Sequence, residues 1–188
     1  GVRIAVIDSS LDITHPDIPT PIVGLNYSEY PDNINNIINR TTGDNSGHGT
    51  HVTGSALGRG TQSSGKYKGM ASGANLLFFR LEDDFGTMST KGLIAAIKAA
   101  VDDYHADIIT MSVGGLDKYN DGSDEDVKSH TVDYAFEQGA LVFISAGNEA
   151  DDEQHYSGTV TANSTTDFIQ VNVNITSQTL VYFYLNWF

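Results

Sequence analysis

The chain has 188 residues, 39% of them apolar, with 8 Phe, 9 Tyr and 1 Trp, enough for one domain, or one and a fraction, with a sizeable core. Its 24 acidic and 10 basic residues leave a formal charge of −14, which argues against nucleic acid as a partner because phosphate binding needs clustered Lys and Arg. There is no cysteine, which excludes disulfides, thiol catalysis and zinc thiolate sites, and no apolar run long enough to predict a membrane span.

Val2 to Ile7 is a nearly continuous apolar run, the pattern of a strand buried on both faces of a parallel sheet, and it ends in Asp8-Ser9-Ser10. A carboxylate at the carboxyl end of such a strand is where open α/β sheets place their sites. Residues 19–46 read as loop, holding Pro19, Pro21 and Pro31, an asparagine-rich piece from Asn33 to Asn39, and a closing turn at Asp44-Asn45-Ser46-Gly47. A short helix is expected from about Thr50 to Leu57, followed by a polar, glycine-rich loop from Gly58 to Lys68. Ala74 to Leu81 is the next strand, and Glu82 to Gly86 an acidic turn. Ser89 is placed to cap a helix from about Thr90 to Tyr104, on which Leu93, Ile94, Ile97, Ala100 and Val101 share a face. Asp107 to Val113 is a strand, Val127 to Gln138 a helix stopped by Gly139, and Ala140 to Ser145 a further buried strand.

Strand and helix in alternation mean a parallel sheet with right-handed crossovers. No strand is followed by a Gly-rich dinucleotide fingerprint or a phosphate-binding loop. Past Asn148 the pattern turns β-rich, over Ser157 to Thr161 and Phe168 to Leu185, which reads as the start of a sandwich. The last residues, Tyr182 to Phe188, are an apolar aromatic stretch, from which we expect a fragment. Four Asn-x-Ser/Thr sites stand at Asn26, Asn39, Asn163 and Asn174.

The chemistry concentrates in Gly47-His48-Gly49-Thr50-His51-Val52-Thr53-Gly54. Glycines on both sides let backbone or ligand approach His48, and an imidazole suits proton transfer near neutral pH. Alone it is a glycine-rich turn before a helix. Its company is Val6-Ile7-Asp8-Ser9-Ser10 and Ser145-Ala146-Gly147-Asn148-Glu149: a carboxylate, an imidazole and an amide, each at a strand end or helix start. Hydroxyl attack on an amide needs a base, an orienter for the base and donors for the oxyanion.

These three motifs, in this order and rough spacing, resemble the subtilisin-like serine proteases. Thr14-His15-Pro16-Asp17, Gly69-Met70-Ala71 and Asp107 to Gly115 add to the resemblance, which covers roughly residues 1–150. It implies an α/β, three-layer fold with a mostly parallel sheet, incomplete at its carboxyl end. Residues 1–150 would then be the front part of a catalytic domain, and 151–188 the beginning of a β-rich insertion. By the same resemblance Asp8 orients His48, His48 is general base and then acid, and Asn148 is the side-chain donor of the oxyanion hole. Ser112-Val113-Gly114 would pair with substrate backbone, with Leu81, Glu82 and Asp83 as the opposing edge and Gly147 beside the oxyanion donor. Asp17 matches a residue that ligates calcium in many members; no cofactor is required, and calcium is the candidate ion. The partners implied are peptide or protein substrates, with a monomer when full length, secreted or at the cell surface.

The family's nucleophile, a serine in Gly-Thr-Ser-x-Ala/Ser, is not among these residues. The reading is therefore a serine endopeptidase whose nucleophile lies outside the chain, and the 188 residues alone are expected to be inactive. The alternative is a serine-less relative that binds peptides without cutting them. A metal-dependent hydrolase using His48, His51 and Asp8 lacks a third ligand pattern. Asp83 and Asp84, with the overall charge, point to basic residues in the substrate.

Overall fold

A computed structural model describes residues 1–28, 35–36, 46–114 and 126–148. The chain divides into two units, Gly1–Ser145 and Ala146–Phe188. The first unit holds a sheet of six strands: β1 (Arg3–Asp8), β2 (Val23–Asn26), β3 (Asn35–Asn36), β4 (Asn75–Arg80), β5 (Ile108–Met111) and β6 (Leu141–Ile144). Their spatial order is β3-β2-β4-β1-β5-β6, with β3 antiparallel to β2 and every other pairing parallel. Three helices accompany it: α1 (His48–Leu57), α2 (Thr90–Asp102) and α3 (Val127–Glu137).

The strand run at the amino terminus becomes the spine of the sheet because it is apolar on both faces. Ile4 and Val6 point to one side, where Leu76, Phe78 and Leu57 of α1 are buried with them. Ala5 and Ile7 point to the other, onto Leu77, Phe79 and Ile109 and the small residues Ala96, Ala99 and Ala100 of α2. Phe79 meets Tyr27 and Tyr104 in tilted ring pairs at 6.0 and 5.9 Å. Each large side chain fully buried here contributes about 1.5–3 kcal/mol. The result is three layers, with α1 on one face and α2 and α3 on the other.

Helix ends follow local chemistry. The Ser89 hydroxyl accepts from Gly92 N–H at 2.9 Å, as expected for a cap, and Asp126 does the same for α3 through Ser129 N–H at 3.1 Å. Gly139, at φ +94°, stops α3 with its amide on the Phe136 carbonyl.

Three features depart from the sequence reading, one of them β6, which is a strand as expected but not a buried one, with Leu141, Phe143 and Ile144 exposed. Residues 19–46 are not all loop, since β2 pairs along β4 from Val23↔Leu77 to Asn26↔Arg80. The Val-Gly-Leu-Asn tetrapeptide is too short and too glycine-diluted to show a strand period, and its partner, not its propensity, makes it a strand. The Asn26 glycosylation sequence is also unusable in the fold, because Asn26 is 3% exposed and its side-chain oxygen accepts from Ser28 N–H. The β-rich insertion expected from residue 151 lies outside the described residues.

Candidate active site

β1 ends at Asp8, fully buried at the carboxyl edge of the sheet. α1 begins 40 residues later with His48, whose Nδ1 lies 2.6 Å from Asp8 Oδ1. The same oxygen accepts from Ser9 N–H at 2.7 Å. With a carboxylate acceptor on Nδ1, that nitrogen carries the proton and Nε2 is left as the basic nitrogen. The His48 side chain is 48% exposed, while its Nδ1 is held on a carboxylate that is fully buried.

A set of short bonds straps the helix start to the strand end. Ser9 Oγ accepts from Gly49 N–H at 3.0 Å, Ser46 Oγ lies 3.2 Å from Ser9 Oγ, and Thr50 Oγ1 accepts from Asp12 N–H at 2.8 Å. Gly47 enters the helix at φ +73°, a left-handed turn that glycine takes without strain. Gly49 has a different reason: a Cβ there would sit 2.1 Å from the Ser10 carbonyl oxygen and 3.2 Å from Asp8 Oδ1. The helix approaches the carboxylate this closely only because that position has no side chain.

The expected substrate edges fall along the same carboxyl edge of the sheet. A cleft of about 630 Å³ is lined by Leu81 from the end of β4 and by Val113 and Gly114 from the end of β5. Leu81 N–H donates to the Asp8 carbonyl at 2.8 Å, tying this edge to β1. Glu82, Asp83 and Ser112 are outside the cleft lining. The sequence reading missed Met88 and Leu93, and from α3 Lys128 and Val132, which complete the walls. The run from Met88 to Leu93 reads in sequence as a cap and a core face; only the packing of α2 beside α3 on the sheet turns its first turn into a wall.

Asp83 and Asp84 are each engaged through one carboxylate oxygen. Asp83 Oδ1 accepts from Phe85 N–H and Thr87 N–H at 2.9 and 2.8 Å, and Asp84 pairs with Arg80 at 3.0 Å. The turn's carboxylates serve the turn itself. Asp17 likewise serves a loop: its Oδ1 accepts from Gln62 N–H at 2.9 Å and its carbonyl from Arg59 N–H at 2.8 Å. The side chain of Lys68 is folded over Gly60 and Gly65 in that loop. Among the described residues no three His, Cys, Asp or Glu side chains converge on a metal position. Asp17, with one carboxylate oxygen already engaged, is a sparse donor set for a hard cation. Nearby, the Thr14 hydroxyl and amide hold the Asp12 carboxyl below its usual range.

Asn148 and Gly147 belong to the second unit, where Gly147 sits at φ +92° and Asn148 is exposed in a bend.

A sequence model described as the subtilase family matches residues 1–183. The chain belongs to the subtilase family. Serine protease AprX of Bacillus subtilis (strain 168) is 31% identical over 162 residues, covering 82% of this chain and 34% of that protein. The major intracellular serine protease of the same organism is 33% identical over 156 residues, covering 82% of the chain and 45% of that protein. Among solved structures sphericase superposes with a TM-score of 0.65 at 30% identity, covering 84% of this subtilase chain and 47% of that one. This subtilase chain thus spans between a third and half of the length of these relatives. The fold expected from the resemblance, a subtilisin-like α/β fold with a mostly parallel sheet, is the one observed. Membership does not fix a secreted location, since a relative at 33% carries an intracellular name. No described helix is long and apolar enough to cross a membrane.

Proposed function

We propose that this chain supplies the acid–base half of a serine endopeptidase. The observation that carries the reading is the 2.6 Å contact between His48 Nδ1 and the fully buried Asp8 carboxylate, on a side chain that is itself 48% exposed. His48 takes the proton of an attacking serine hydroxyl and returns it to the leaving amine. Asp8 holds the tautomer that makes this direction of transfer work and stabilises the imidazolium that forms. Asn148 donates to the oxyanion of the tetrahedral intermediate, a contribution of about 10²–10³ in turnover for such a donor. The peptide lies extended between the Leu81 and Val113 edges, adding a strand between them, with one side chain in the cleft. Glu82, Asp83, Ser112 and Gly147 belong to this proposed substrate path through their backbone.

The reading requires a nucleophilic serine in a Gly-Thr-Ser context, which the 188 residues do not contain. The test is to read the natural coding region past Phe188 and treat its product with a fluorophosphonate probe. The expected result is a labelled serine in that context, with labelling lowered about four orders of magnitude by Asp8→Asn. A product that continues without such a serine and is never labelled sinks the endopeptidase and leaves a peptide-binding module.

A further inference from the structure

Asp8 and Arg80, the last residues of β1 and β4, are register partners on neighbouring parallel strands. Paired residues leave a sheet on the same face, so both side chains emerge on the α1 side, from backbones about 4.8 Å apart. Both residues are buried, at 0% and 6% exposure. Each carries a buried polar atom with no hydrogen-bond partner among the described residues: Asp8 Oδ2 and Arg80 Nε. A guanidinium is rarely taken out of water without full pairing.

Arg80 has one ion pair among the described residues, Nη2 to Asp84 Oδ1 at 3.0 Å. That partner is 67% exposed, against 7% for the arginine side chain. Water screens the carboxylate far better than the guanidinium, so the arginine's field toward the interior is incompletely cancelled. On the other elements around Asp8 the charged or titratable groups are few. α1 brings His48, with His51 exposed a turn later, and the chain after β1 brings Asp12, whose amide is bonded to Thr50. β5 and its extension offer only Met111 and Ser112, and Asn26 of β2 is neutral.

We propose that Arg80 is a positioning residue for the Asp8–His48 pair, its buried guanidinium setting the electrostatic field in which the carboxylate holds the imidazole. Asp84, at the surface, trims that field. The 82–88 turn, which carries one substrate edge, is thereby wired to the proton-transfer pair through a single side chain. This inference rests on the reading of Asp8 and His48 as that pair.

The test follows the rate at which diethyl pyrocarbonate acylates each histidine of the micromolar chain across pH, resolved by mass spectrometry. Only a neutral imidazole reacts, so the pH midpoint of each rate reports that residue's own proton, and His51 is the internal reference. Asp8→Asn tests the pair itself: a lowered His48 midpoint is required, and no change sinks the acid–base reading irrespective of Arg80. With the pair established, Arg80→Met raises the His48 midpoint by about half a pH unit, because a nearby positive charge no longer opposes the imidazolium. Asp84→Asn lowers it, because the arginine loses its counter-charge, and Arg80→Lys stays close to the parent. The opposite signs separate this role from a purely structural one. If the Arg80–Asp84 pair only pins the turn, breaking it from either side moves His48 in the same direction or not at all, which overturns the proposal. Should Arg80→Met fail to fold, the surface variant Asp84→Asn decides: a lowered midpoint supports the proposal and an unchanged one overturns it.

Discussion

Gly49 shows how much of this site depends on what a residue lacks. The His48 ring reaches Asp8 because the next residue in α1 lies against the Ser10 carbonyl with no room for a carbon between them. Gly49→Ala would therefore push the helix start off the strand end rather than relax locally. We expect a loss of about 3 kcal/mol in denaturant unfolding, large for one methyl group. Helix propensity alone points the other way, since alanine favours a helix interior by about 1 kcal/mol over glycine. The sign of the measured change decides which effect dominates.

At the level of elements, capping makes a smaller and cleaner prediction. Ser89 is the only side-chain cap of α2, accepting from Gly92 N–H. Ser89→Ala should cost about 1 kcal/mol in the same assay. Because Ser89 and the first turn of α2 also line the cleft, a change in peptide binding beyond that cost would mark a direct role in the wall. The capped and periodic elements were the ones visible beforehand. β1, β4, β5, β6 and all three helices lie where apolar runs, spacing and stop residues put them. β2 was not visible because a four-residue strand carries no period, and it exists through its ladder with β4. In the site, Asp8 and His48 were legible as chemistry at element ends. Arg80 was not, because an arginine closing an apolar run reads as a solvated strand end until its burial is known. For Asp83 and Asp84 the sequence shows a charge but not the amides and guanidinium that engage one oxygen of each.

At the scale of the sheet, β6 is its last strand among the described residues. β6 is apolar, Leu-Val-Phe-Ile, yet Leu141, Phe143 and Ile144 are 51%, 58% and 51% exposed. Strands of a parallel sheet are normally covered on both faces, and an uncovered edge is a template for pairing. The 188-residue chain should therefore associate as its concentration rises, and Phe143→Lys should move it back toward monomer. Light scattering over a dilution series checks this, and a constant monomer mass for the parent chain would contradict it.

The two faces of the sheet also divide the labour. The carboxylate and imidazole stand on the α1 side, whereas the cleft is walled from the opposite side by α2, α3 and the strand ends they cover. Leu93 and Val132 belong to the α2 and α3 wall, on the face opposite the Asp8–His48 contact. On the proposed function, most of what such a chain recognises is built apart from its chemistry, the 82–88 turn excepted, and diversity libraries belong on the α2–α3 side of the sheet.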